Sequence, residues 1–393
     1  MKKSIIALAL LLCLGLSGCG EVLAGSYQTS APHVDRPATD EDSSAIRVEN
    51  YRDLVSAVLY LVSQGESEGT LQFYDYPGDV ETAVTNACLE VATQDPLGAY
   101  CLDYIRHETT RVVSYDQATL SIHYRRTMEQ VRSMVNVTGT SAIRTELREA
   151  LGAFQKEVVL RVAYFAEDAD SITRLIRQAY YDNPAHALGF PQVEINLYPD
   201  RGIQRVVEIL LTYPEDVEEL AQKSEALALA LEETAFPGSG GAGEPADIQA
   251  AAIEAAKALR EIAAYAPEGG ATPYAALVEG KANSEGMALA YALYCKEMGL
   301  SCEIVEGTLL APASPEETDP EGAGVLEGTE LSRFWVSLRL SDGETYYLDP
   351  SAEQPAAVSG RDMFDQGYRW PGGPVEETVT EEGPEGEKTE EIQ

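Results

Sequence analysis

The sequence predicts an α+β protein: two similar N-terminal α+β units followed by a third, C-terminal α+β core. Three observations predict it. Residues 69–80 and 158–169 each open the same order of strand, helix, strand, strand and helix. A glycine- and proline-rich break, FPGSGGAGEPA at 236–246, separates that pair from the C-terminal region. Beyond the break, two helical periods lead into alternating strand patterns joined by a turn sequence.

The chain has 393 residues, enough for two or three domains, and its 45% hydrophobic content suits folded structure. Against 28 lysines and arginines stand 65 aspartates and glutamates, a net charge of −37. Such a surface repels nucleic acid and anionic headgroups, so neither is expected as a partner, and it reads first as a solubility device.

At the N-terminus Lys2 and Lys3 precede an apolar run over 5–16 that is too short to span a bilayer. Leu16-Ser17-Gly18-Cys19 comes next and resembles the bacterial lipobox. That resemblance implies a lipoprotein signal peptide over 1–18 and diacylglycerol on the Cys19 sulfur. The expected partner is then the cell membrane, held from its extracytoplasmic face by acyl chains, two of which anchor stably where one does not. Residues 19–48 are polar and read as a flexible tether. The last twenty residues hold eight glutamates and one lysine, so 373–393 reads as a solvated acidic tail.

The paired units are expected over 49–235. Strand-like GTLQFYDYPGDV at 69–80 matches VVLRVAYFAEDA at 158–169, and helical patterns continue over 81–94 and 170–183. Pro96 and Pro184 are expected to stop those helices. Alternating runs at 109–116 with 118–125 match 192–199 with 204–213, and short helical runs at 127–134 and 214–220 close the units. His107, His123 and His186 lack metal-ligand spacing, so neither a metal nor another cofactor is expected here.

The C-terminal domain is expected over 247–372. Ile248, Ala252, Ala255, Leu259 and Ile262 recur at helical spacing behind Asp247, a suitable cap. Gly269-Gly270 reads as a break. A second helix begins near Ser284, with Met287, Tyr291, Cys295 and Met298 on its apolar face. Gly299 ends it and a short strand comes after. Phe334, Val336, Leu338 and Leu340 alternate with Trp335, Ser337 and Arg339, and Ser341-Asp342-Gly343 suits a three-residue turn. With that turn, Trp335 stands opposite Asp349, and Arg333, Trp335 and Asp349 share a face. Cys88 with Cys101 and Cys295 with Cys302 form two local pairs. In an exported protein these are candidate disulfides, with buried free thiols as the alternative.

The stretch ALVEGKANSEGMA at 276–288, Leu300-Ser301-Cys302, Arg333-Phe334-Trp335, Asp349-Pro350 and Gly367-Tyr368-Arg369-Trp370-Pro371 together resemble the transglutaminase-like superfamily, which has papain-type architecture. The likeness runs over about 247–371. It implies a cysteine at a helix N-terminus as nucleophile, a histidine as base and an aspartate that orients the histidine. Residue by residue, those positions fall on Ser284, Arg333 and Asp349, with Trp335 as neighbour, so only the aspartate is kept. No histidine occurs after His186. Serine is a weak nucleophile without a base, and arginine cannot be deprotonated. A catalytically degenerate domain is therefore expected, in a binding or scaffold role toward polypeptide or cell-wall material. The alternatives are a weak hydrolase or acyltransferase using Ser284, or a structural lipoprotein without a ligand.

Overall fold

The computed structural model describes residues 45–234, 245–310, 330–340 and 343–375. The lipobox with Cys19, most of the expected tether and acidic tail, most of the 236–246 linker, and Ser341 and Asp342 lie outside these residues. The chain is α+β and divides into two compact units. One is Met1–Ile176 with Gln192–Thr212; the other is Arg177–Pro191 with Tyr213–Gln393. This corrects the expected division at 236–246, because residues 177–191 and 213–234 belong with the C-terminal unit. Composition marks the glycine-rich linker, but packing decides membership, and a helix that continues through residue 176 carries no compositional mark there.

The first unit holds two sheets of like design. In the first, β1 (Ile46–Val48), α1 (Tyr51–Gln64), β2 (Glu68–Phe73), α2 (Val80–Thr93) and α3 (Pro96–Cys101) lead to β3 (Leu102–Val112) and β4 (Tyr115–Tyr124). The short α4 (Met128–Arg132) closes the motif. In the second, β5 (Val135–Thr138), α5 (Gly139–Gly152), β6 (Glu157–Ala163) and α6 (Ala169–Tyr181) lead to β7 (Gln192–Tyr198) and β8 (Gln204–Thr212). The strand orders are β1-β2-β4-β3 and β5-β6-β8-β7. In each, the first pair is parallel and the others antiparallel.

Each motif therefore starts one strand and one helix before the expected openings at residues 69 and 158. Strands of three and four residues are too short to show an alternating pattern, so the sequence carries no readable sign of them. β1 also corrects the tether: Ala45, Ile46 and Val48 are buried, so the folded chain begins before residue 49. The helices before Pro96 and Pro184 end at Thr93 and Tyr181, as expected, and each proline also opens the next element. Pro96 opens α3 and Pro184 opens a 3-10 turn at Pro184–His186. The Asp95 carboxylate accepts from the amides of Leu97 and Gly98, so proline's missing donor falls where a helix needs none.

The second unit adds α7 (Val217–Glu232), α8 (Pro245–Ile262), β9 (Ala264–Gly270), α9 (Pro273–Leu277), β10 (Lys281–Ala282) and α10 (Ser284–Glu297). It then forms β11 (Ser301–Leu310), β12 (Glu330–Arg339), β13 (Thr345–Leu348), α11 (Gly360–Asp365) and β14 (Tyr368–Arg369) in a sheet of order β13-β12-β11-β14. Gly269-Gly270 is not a break but the end of β9, which pairs with β10. α10 is the core element. Ser284 and every residue from Gly286 to Cys295 is buried, so the helix is covered all round rather than along one stripe. Phe334, Val336, Leu338 and Leu348 form a cluster with Met287, Tyr291 and Cys295 of α10. That packing lays one face of the β12–β13 hairpin on the helix.

Cys88, Cys101, Cys295 and Cys302 are free thiols in this structure. Burial pushes the Cys88 and Cys101 thiols up to about 12, and each sits in the apolar core of the first unit.

Candidate functional site

α10 starts where it does because Asn283 caps it, its side chain accepting from the Gly286 amide at 3.0 Å. Ser284 is thus the first helical residue, the position expected from the sequence. The Ser284 hydroxyl accepts from the Phe334 backbone amide at 3.2 Å. This bond joins the helix start to β12 one residue beyond Arg333.

The hairpin has the expected register. Val336 pairs with Leu348 and Leu338 with Tyr346, which carried one step further sets Trp335 opposite Asp349. Gly343 has φ +87°, as the longer turn requires. With Phe334 and Val336 turned onto α10, Arg333 and Trp335 take the other face. Trp335 is fully buried and packs at right angles near Tyr368 and Trp370, with centroids at 5.1 and 5.6 Å. Gly307, opposite Arg333 on β11, makes room for it: a Cβ there would lie 2.4 Å from the indole ring and 2.2 Å from the Arg369 carbonyl.

Arg333 and Asp349 meet in a buried ion pair. Arg333 Nε donates to Asp349 Oδ2 at 2.7 Å, and the two side chains are 10% and 3% exposed. The Tyr368 hydroxyl donates to the same oxygen at 2.8 Å. The backbone amide and hydroxyl of Ser351 donate to Oδ1 at 2.8 and 2.5 Å. Four donors therefore saturate the carboxylate, close to its full acceptor capacity. The pair is consequently made through Nε and not by the two-point fork that an arginine and a free carboxylate would form, since Oδ1 belongs to Ser351. The Tyr265 ring lies 4.5 Å from the guanidinium carbon and covers its face.

The electrostatics derive from this packing. Burial alone draws the Arg333 pKa down, but the charge and hydrogen bond of Asp349 outweigh it and leave it above the ordinary arginine range. Burial raises the Tyr368 hydroxyl, and the Asp349 charge raises it further. Both groups are fixed in their protonated forms at neutral pH. Next to Ser284, the Glu285 carboxyl is raised by burial, opposed by a hydrogen bond from the Tyr181 hydroxyl at 3.1 Å. Glu306 and Arg177 face the same carboxyl and pair with each other at 3.4 Å.

Of the four residues singled out from the sequence, Arg333 and Asp349 meet directly, Trp335 lies on β12 with Arg333, and Ser284 reaches β12 through the Phe334 amide rather than through any of them. Sequence reasoning missed Tyr265, Ser351 and Tyr368. Ser351 had a signal, because an amide two residues after an aspartate is a common partner of its side chain. Tyr265 comes from a distant segment and had none, while Tyr368 lay in the closing motif of the resemblance without a role assigned to it.

No protein-family model matches the chain, and no curated protein matches it. Among solved structures, the periplasmic domain of TgpA from Pseudomonas aeruginosa, solved bound to ethylmercury, aligns at 15% identity with a TM-score of 0.23. That alignment covers 41% of this chain and 64% of the TgpA domain, so the chain spans less than two thirds of it. A protein described as a TGase aligns at 12% identity over 66% of this chain and 68% of its own, with a TM-score of 0.24. Overlaps this slight carry no argument, and the reading of the site rests on its own residues.

Proposed function

We propose that the second unit is a noncatalytic transglutaminase-like domain, carried by a lipoprotein anchored at Cys19 on the extracytoplasmic face of a membrane. It holds a polypeptide or cell-wall segment and does not react with it. The observation that carries this reading is the buried Arg333–Asp349 pair at the positions where the family resemblance implies a histidine and its orienting aspartate.

Acyl transfer through Ser284 needs a group to accept the hydroxyl proton. Arg333 has no lone pair to offer, and the Asp349 oxygens are already taken by four donors. Glu285 is the next carboxyl along the helix. Adjacent helical residues do not face one another, and this one is engaged by Tyr181. Ser284 therefore serves as a structural hydroxyl joining helix to strand.

The test has two arms. The wild-type protein is treated with a fluorophosphonate and with acyl-donor probes, and no label at Ser284 is expected. The double variant Ser284→Cys, Arg333→His restores both lost groups, and its new thiol should alkylate at pH 6 faster than that of Ser284→Cys alone. Equal rates in a folded double variant would show that the three positions do not form a triad. Labelling or peptide cleavage by the wild type, abolished in Ser284→Ala, would establish a serine acyltransferase or hydrolase and overturn the proposal. The anchor is tested separately: Cys19→Ala should lose lipid labelling and leave the membrane fraction. For the binding role, saturable binding of envelope peptides without turnover is expected.

A further inference from the structure

The four described cysteines are not equivalent. Cys295 stands in the last turn of α10, and Cys302 is the second residue of β11. The chain between them reverses at Gly299, and both thiols join the core cluster of the second unit. Across that turn the Leu300 amide donates to the Cys295 carbonyl at 2.8 Å, and the Cys295 thiol is near enough to raise the pKa of Cys302. Cys88 and Cys101 also share one core cluster, but on α2 and α3, where both are buried and burial raises each thiol.

We propose that Cys295 and Cys302 form an oxidisable dithiol that closes to a disulfide across the Gly299 turn, while Cys88 and Cys101 stay reduced. This inference is independent of the reading of the Ser284 site. The oxidant is a small-molecule or protein disulfide. One thiol of the pair, as its thiolate, attacks a donor sulfur to give a mixed disulfide and release one donor thiol. The second thiol then displaces the other donor thiol and closes the ring. Two electrons and two protons leave the pair, and the donor disulfide becomes two thiols. The neighbouring Cys295 thiol and burial both raise the Cys302 pKa, so the exchange should be slow at neutral pH and faster as pH rises.

The product staples the end of α10 to β11, at the opposite end of the helix from Ser284. Closing a short loop in the unfolded chain should raise the melting temperature of the second unit by roughly 5 °C.

The test uses the full chain, reduced, freed of reductant and incubated folded with excess glutathione disulfide at pH 7 and pH 8.5. Free thiols are then alkylated and the protein mapped without reduction. One peptide spanning Cys295 and Cys302 with an internal disulfide is expected, formed faster at pH 8.5, with Cys88 and Cys101 alkylated only after denaturation. The melting temperature should rise on oxidation and fall back on reduction, and the variant Cys88→Ser, Cys101→Ser should keep that response. Cys295 and Cys302 recovered as free thiols at both pH values would overturn the proposal. So would stable glutathione adducts on either residue, or a Cys88–Cys101 bond forming first. The wild-type map decides the matter even if Cys302→Ser fails to fold.

Discussion

Among the described residues each unit holds an arginine paired with a buried carboxylate, and the two pairs are built differently. In the first unit Arg126 pairs with Glu208, whose other oxygen accepts from Asn196 at 3.3 Å and Tyr198 at 3.1 Å. The Arg126 side chain is still 26% exposed, and its Nε and the Tyr100 hydroxyl beneath it have no hydrogen-bond partner among the described residues. In the second unit Asp349 is saturated and Arg333 is covered by Tyr265. The first pair keeps a donor at Arg126 Nε without a partner among the described residues, whereas the carboxylate of the second accepts from four donors.

The comparison can be broken most directly by removing each carboxylate. Asp349→Ala strands a buried guanidinium and should cost about 3–5 kcal/mol. Glu208→Ala should cost less, roughly 2–3 kcal/mol, because Arg126 can turn to solvent. Denaturant unfolding with amide exchange read separately in each unit measures both, and equal costs would refute the distinction. Replacing the whole second pair, Arg333→Met with Asp349→Leu, should stay within about 1–2 kcal/mol of wild type, since desolvation largely offsets attraction in a buried pair. A loss as large as that of Asp349→Ala would mean that the pair itself, and not the stranded charge, dominates.

Smaller substitutions sharpen the picture. Tyr368→Phe removes one of four donors to Asp349 and should cost about 1 kcal/mol in the same unfolding experiment. No change would show the fourth donor to be redundant.

The smallest effect expected is on pH dependence. Glu285 has a pKa raised in the folded state above its ordinary value of 4.5. Between those two values the folded state binds the proton more tightly than the unfolded one, so stability falls as pH rises through that window. The penalty is fully present above the folded pKa and absent below the unfolded one. Glu285→Gln should flatten that limb of the melting temperature against pH while leaving the rest of the curve in place. An unchanged limb would assign it to Asp95 or Glu146, which burial also raises.

The legible parts of the molecule share one property: their signal is local. Asn283 and Ser284 begin a helix because a cap is written in adjacent residues, and the hairpin register comes from a three-residue turn and strict alternation. From these alone Arg333, Trp335 and Asp349 could be placed on one hairpin, and Ser284 at the start of a helix. Where the signal is short or distant, reading failed. β1 and β5 are too brief to show a period, and Gly269-Gly270 looks like a break until β10 pairs beside it.

The sequence by itself determined the α+β class, the helix that begins at Ser284, the register of the hairpin and the absence of an imidazole after His186. Each depends on neighbours along the chain or on composition, which folding does not alter. Only the tertiary structure decided which unit residues 177–191 join, that Asp349 accepts from Ser351 and Tyr368 as well as Arg333, and that Tyr265 covers Arg333. Those facts depend on which distant side chains converge in the core, and the exposure and hydrogen bonding of a group are set by that convergence rather than by its residue type.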